Sequence, residues 1–221
     1  TRRTQAGSSR YGVPARSRQR LQLAAVPPGP RDTVLLYSDP DHLLPSEVDG
    51  LLDWVDAGGH LLVRTPLPRR SEARMRDSDL LGRIGVHTDD GRTQCEPLLV
   101  EGEEGHVEFC NGRRFSLGFQ ASADAERRWG NEEGLAFARL RHGKGRIDVL
   151  ADLDLMRGAG ATPLPRKGAT AKTAPQRGGL HDLSHRDLTR HLLDPNYGRG
   201  TVWLVYGSRP PTLLARIVLQ G

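Results

Sequence analysis

The stretch PSEVDGLLDWVDAGGHLLVRT, residues Pro45 to Thr65, decides the fold class. Val48, Leu51, Leu52 and Val55 recur at i, i+3, i+4 and i+7, which draws one apolar stripe along one face of a helix. Ser46 stands where an N-cap is expected, and Glu47 and Asp49 follow it, where carboxylates meet the positive end of the helix dipole. Gly58 and Gly59 can adopt the left-handed backbone that ends a helix, and His60-Leu61-Leu62-Val63 restarts at once as a short buried strand. Upstream, Thr33-Val34-Leu35-Leu36-Tyr37 reads as another buried strand, turned by Ser38-Asp39-Pro40. Strand, loop, helix and strand in that order make the crossover unit of an open, mainly parallel α/β sheet.

Working outward, the pattern changes between residues 91 and 120. Leu98-Leu99-Val100, Val107 to Cys110 and Phe115 to Phe119 are short alternating runs separated by Gly-rich turns such as Asn111-Gly112, which predicts an antiparallel hairpin insertion in the sheet. Gly134 to Arg141 and Arg146 to Leu150 then flank His142-Gly143-Lys144-Gly145. A phosphate-binding loop of the Walker kind runs from Gly-Lys-Ser/Thr into a helix, and a strand follows here, so this is a hairpin turn. Leu180 to Leu193 has a helical apolar side ended by Asp194-Pro195, and Thr201 to Tyr206 is the last strand. Residues 1–20 read as mostly irregular, and Leu21 to Val26 as a short strand or a turn. The expected organisation is a basic N-terminal segment over 1–29, an α/β domain over 30–207 and an apolar C-terminal helix over 208–221.

Composition narrows the function classes. The chain has 221 residues, a net charge of +5 and 36% hydrophobic residues, enough for one substantial core. The positive charge is local: residues 1–20 hold Arg2, Arg3, Arg10, Arg16, Arg18 and Arg20 without an acid, and the Gly-, Pro- and Ala-rich segment 157–179, expected to be flexible, is equally one-sided. The rest is net acidic, aromatics are only 5%, and no nucleic-acid-reading motif is present, so nucleic acid is not the expected partner. Cys95 and Cys110 leave both readings open, a disulfide or two core thiols. No run is long enough to span a membrane, although the apolar end beyond Pro211 suits the approach to a span.

In open α/β sheets ligands bind beyond the carboxyl ends of the strands. That rule selects Ser38 and Asp39, with Asp41 and His42, after the first strand, and Arg64, with Thr65, after the second. Asp152 and Asp154 follow the strand Ile147 to Leu150 and precede a helix that carries His181. Ser38, Asp39, Arg64, Asp152, Asp154 and His181 are therefore the candidate ligand-binding residues. A competing reading takes Asp152, Asp154, His181 and His185 as the ligands of a metal-dependent hydrolase, since two histidines four apart share one helix face. No motif calls for a cofactor. Neither cysteine lies in the Gly-x-Ser/Cys-x-Gly context of a nucleophile elbow.

Taken in order, TVLLYSD, LPSEVDGLLDWVDAGGHLLV, DLLGRIGV, GKGRIDVLADLDLM, the His/Asp-rich helix and VWLVYGSRPPTLLARI resemble the bacterial family called domain of unknown function 4350, over roughly residues 30 to 221. The resemblance implies a fold similar to class I glutamine amidotransferases, a flavodoxin-like sheet with flanking helices. It also implies a binding rather than a catalytic role, because the amidotransferase Cys-His-Glu triad has no counterpart here. Members usually carry a transmembrane helix on each side of the soluble domain. The resemblance thus implies tethering to a membrane of the bacterial cell envelope and a protein partner in a membrane-associated assembly.

Overall fold

The computed structural model describes residues 14–23, 25–66, 79–89, 96–99, 106–109, 113–156 and 183–207. In chain order the described elements are β1 (Ala15–Arg18), β2 (Thr33–Leu36), α1 (Pro45–Asp56), β3 (His60–Arg64), α2 (Asp79–Arg83), β4 (Val86–Thr88), β5 (Glu96–Leu99) and β6 (His106–Phe109). They continue with β7 (Phe115–Leu117), α3 (Phe119–Asp124), β8 (Ala125–Asn131), β9 (Gly134–His142), β10 (Gly145–Leu150), α4 (Leu183–Leu193) and β11 (Val202–Val205).

Five strands run parallel in the order β1-β11-β2-β3-β10, and β9, β7, β4 and β8 extend this mainly parallel sheet by antiparallel pairing. β5 and β6 pair with each other as a separate antiparallel hairpin. Alternation along the strands divides the core between two faces. Leu61 and Val63 of β3 and Ile147 and Val149 of β10 meet Val48, Leu51, Leu52 and Val55 of α1, all buried, on one face. Leu62 and Leu150 meet Leu188 and Leu192 of α4 on the other. Helices on both faces of a largely parallel sheet follow from apolar runs with no polar alternation, which need cover on both sides.

The entry to α1 differs from the sequence expectation. Leu44 is the N-cap, Pro45 opens the helix and Ser46 lies inside it. Proline suits the first helical position because its ring presets φ and its missing N–H would have no partner there. Glu47 serves as the cap instead, its Oε2 accepting from Leu44 N–H at 2.9 Å. Ser46→Ala is accordingly expected to leave stability within about 0.5 kcal/mol of wild type, while Glu47→Ala costs about 0.5–1 kcal/mol. Urea denaturation of both variants checks the order, and a larger loss for Ser46→Ala would contradict the capping assignment.

At the other end of α1, Gly58 has φ 125°. Gly59 lacks room for a Cβ, which would meet the Trp54 ring. Trp54 is itself fixed by its Nε1–H donating to Gly29 O at 2.9 Å. The β9–β10 turn docks here, with Lys144 N–H donating to Asp56 O at 2.9 Å and Arg146 N–H to Gly59 O at 3.2 Å. The Gly-Lys-Gly turn is thus occupied by protein backbone.

Two further expectations change. Ala15–Arg18, read as irregular, pairs with β11, while Leu21 to Val26 takes the turn of its two readings, with Ala25 and Val26 N–H donating to Gln22 O at 3.2 and 3.1 Å. The strand expected over Phe115 to Phe119 stops at Leu117, because Gly118 starts helix α3. Pro211 to Leu219, Cys95, Cys110 and residues 157–179 lie outside the described residues.

Candidate ligand site at the carboxyl edge of the sheet

The carboxyl ends of β2, β3 and β10 are knitted together by main-chain and side-chain hydrogen bonds. Tyr37 and Ser38, just past β2, both donate their N–H groups to Val205 O of β11, at 2.9 and 3.3 Å. Thr65, just past β3, donates N–H to Leu150 O at 2.8 Å. Its hydroxyl lies 3.0 Å from Arg113 O and 3.1 Å from Ala151 O and accepts from Arg113 N–H at 2.9 Å. One buried threonine therefore ties the ends of β3 and β10 to the segment that leads into β7.

Arg64 sits at the same edge, half-buried. Its Nε–H donates to Tyr37 O at 2.9 Å, and its guanidinium carbon lies 5.8 Å from the centre of the Tyr37 ring. The next residue, Ser38, is 5% exposed, and its hydroxyl is buried without a hydrogen-bond partner. Asp39 serves the turn: its Oδ1 accepts from Asp41 N–H at 3.0 Å and caps the single turn Pro40–His42. Asp152 is buried past the end of β10 and engaged in an interaction of its own.

The structure thus places Ser38, Asp39 and Arg64 beside one another, and Asp152 at the end of the strand next to β3. Asp154 lies in the turn Asp154–Met156 that follows. Its side chain and all of His181 lie outside the described residues. His185 is buried near the start of α4 and engaged. Among the described residues no group of three His, Cys, Asp or Glu is placed to hold a metal ion, so the hydrolase reading gains no support.

Sequence reasoning passed over two groups. Arg113 and Arg114, both buried and engaged at this edge, follow a Gly-rich turn and look like solvated loop residues. The second group lies deeper, on the α4 face. Asp148 of β10 accepts from Arg139 of β9 through both carboxylate oxygens, Nε to Oδ1 at 2.8 Å and Nη2 to Oδ2 at 2.7 Å. His60 Nε2 lies 3.2 Å from Asp148 Oδ2, and His60 Nδ1 lies 3.3 Å from the Thr33 hydroxyl. Burial pushes the Asp148 carboxyl up, but the hydrogen bond from Arg139 and the neighbouring His60 outweigh it and hold it below the usual carboxylate range. The signal was present: a Gly-Lys turn pairing His142 with Gly145 must set Arg139 opposite Asp148.

A family model described as domain of unknown function (DUF4350) matches residues 11–162. The chain belongs to the DUF4350 family. The matched region of this DUF4350 chain begins before β1 and ends beyond β10, so it contains the whole edge formed by β2, β3 and β10. No curated protein matches it. Among solved structures, the exo-beta-1,4-mannosidase Op5Man5 from Opitutaceae bacterium strain TAV5 is similar at 18% identity and a TM-score of 0.37. That likeness covers 54% of the DUF4350 chain and 20% of the mannosidase, and it bears on neither fold nor activity. Among the described residues no helix is long and apolar enough to cross a membrane.

Proposed function

We propose that this DUF4350 domain is a non-catalytic binding module that takes a small ligand or a protein partner at the carboxyl edge of its parallel strands. Ser38, Asp39, Arg64 and Asp152 are its described members, Asp154 belongs to the turn Asp154–Met156, and His181 completes the candidate set. The proposal is carried by a guanidinium anchored on Tyr37 O at the strand ends and, in the residue that follows Tyr37, a buried hydroxyl that has no partner. A buried hydroxyl without a hydrogen bond is costly in a folded chain, and binding sites are where that cost recurs. A nucleophile elbow holds its nucleophile in a strained turn, and among the described residues every positive φ belongs to glycine.

As a finer reading, we take the fold to be of the flavodoxin-like, class I glutamine amidotransferase-like kind, supported by five parallel strands with α1 and α4 on opposite faces. The family resemblance further suggests a domain tethered to the membrane of the cell envelope and working with a protein partner there.

A fragment screen read by amide chemical shifts tests the location of binding. Hits should cluster at Tyr37, Ser38, Asp39, Arg64 and Thr65. Hits confined to the turn around Lys144, or to the outer edge of β1, would refute the assignment.

A further inference from the structure

We infer that His191 is an acid-sensitive latch, which holds the last turn of α4 to β8 while its imidazole is neutral and releases it on taking up a proton. The latch belongs to the α4 face and does not depend on the binding edge. Arg127 Nη1 of β8 lies 3.0 Å from His191 Nε2. A guanidinium has only donors and keeps its charge through the pH range of folded proteins, so His191 Nε2 is the acceptor and the ring is neutral. Protonation would put an N–H on Nε2, facing the N–H of Arg127. The hydrogen bond would become a contact between two cations.

The surroundings do not shelter that second cation. From β9, Arg139 reaches the same end of α4, its Nη2 donating to Leu192 O at 3.2 Å. The Asp148 carboxylate of β10 is engaged by Arg139 through both oxygens, and Glu126, next to Arg127, accepts from Arg146 Nε at 2.8 Å. Asp194, just past α4, is exposed, and on the helix itself Asp187 and Arg190 are exposed and of opposite sign. Trp129, stacked on Phe137 with ring centres 4.2 Å apart, lies 5.9 Å from the His191 ring and tilted 38° to it, which offers an imidazolium only a weak cation–π contact. Burial, then Arg127 and Arg139, hold the His191 pKa below the ordinary histidine value, and Asp148 and Asp194 act the other way without prevailing. The docked ring therefore takes a proton less readily than a released one. Docking is at full strength above about pH 6.5 and weakens as the pH falls from there through the lower docked value. Because α4 also packs on the turn Asp154–Met156, the latch bears on the segment that leaves β10.

The test follows the His191 ring protons and the backbone amides of the full chain by NMR from about pH 8 to about pH 4.5, with far-UV circular dichroism as a check on the overall fold. The ring should titrate below about pH 6.5. Amides of Arg190, His191, Leu192 and Leu193 should shift with the same midpoint and lose about tenfold in hydrogen-exchange protection for each unit by which that midpoint is depressed. His191→Gln, whose side-chain oxygen still accepts from Arg127, should abolish the transition at these amides. Arg127→Gln should raise the His191 midpoint toward the ordinary value. Melting temperatures at the upper pH show that each variant is folded. A His191 midpoint at or above about pH 6.5, α4 amides that do not follow it, or global unfolding in place of a local transition would overturn the inference. So would the same transition in folded His191→Gln, or an unmoved midpoint in folded Arg127→Gln.

Discussion

Arg139→Met is expected to destabilise the domain by about 3–5 kcal/mol, measured by urea denaturation, although methionine nearly fills the same space. Asp148 is fully buried, and among the described residues Arg139 supplies its strong counter-charge through two short hydrogen bonds. The same Nη2 also donates to Leu192 O at 3.2 Å and lies 3.4 Å from His191 O, the last carbonyls of α4, where a cation favours the helix dipole. Removing the guanidinium therefore leaves a buried carboxylate with His60 alone and frees the end of the helix that covers this face. A double variant, Arg139→Met with Asp148→Leu, should regain most of the loss, because an apolar pair avoids the desolvation of both charges. If the single change costs under about 1 kcal/mol, the ion pair is not what joins α4 to β9 and β10.

The pH dependence follows from the same residues. The folded-state pKa of Asp148 lies below its unfolded value, so its contribution is fully present above about pH 4 and disappears as the pH falls through the lower folded value. Arg139→Met removes the largest influence holding that pKa down. The acid-unfolding midpoint of the variant should therefore move to higher pH, read by circular dichroism between about pH 2 and pH 6.

What the sequence revealed of this fold was local and periodic. The stripe Val48, Leu51, Leu52 and Val55 and the run from Leu61 to Val63 carried their own signal, because each is contiguous and nearly unbroken by polar residues. β1 escaped detection because ARSR has no apolar pattern. It is a strand because its backbone completes the edge of β11, with Arg18 lying 3.8 Å from the Trp203 ring centre, and neither partner is near it in sequence. β8 and α3 escaped for the same kind of reason: Ala125–Asn131 is exposed on most of its length and is held by pairing with β9. At the proposed site, the strand-end rule selected Ser38, Asp39 and Arg64 by position alone. It could not show that Asp39 caps a turn while Arg64 is anchored on Tyr37 O, because that division depends on which hydrogen bonds form. Arg113 is joined to the edge through Thr65, 48 positions earlier, and no local pattern announces that pairing.

Gly145→Ala should destabilise the domain by about 1–3 kcal/mol, with a fall of several degrees in melting temperature. The obstacle is space rather than backbone angle. A Cβ at Gly145 would meet Gly59 O and Val55 O, two main-chain carbonyls that end α1 and begin β3 and have no side-chain freedom with which to yield. Relief would require moving the β9–β10 turn off the α1–β3 junction and stretching the bonds from Lys144 N–H to Asp56 O and from Arg146 N–H to Gly59 O. Those bonds hold β10 in register with β3, from Arg146 opposite His60 to Leu150 opposite Arg64. Displacement at this end would therefore be transmitted along both strands to Thr65 and Arg64 at the other. Lys144→Ala, at an exposed side chain in the same turn, should change stability by less than about 0.5 kcal/mol. Reversal of that order, a tolerated Gly145→Ala with a larger loss for Lys144→Ala, would contradict the packing of this turn against the α1–β3 junction as what holds the two strands in register.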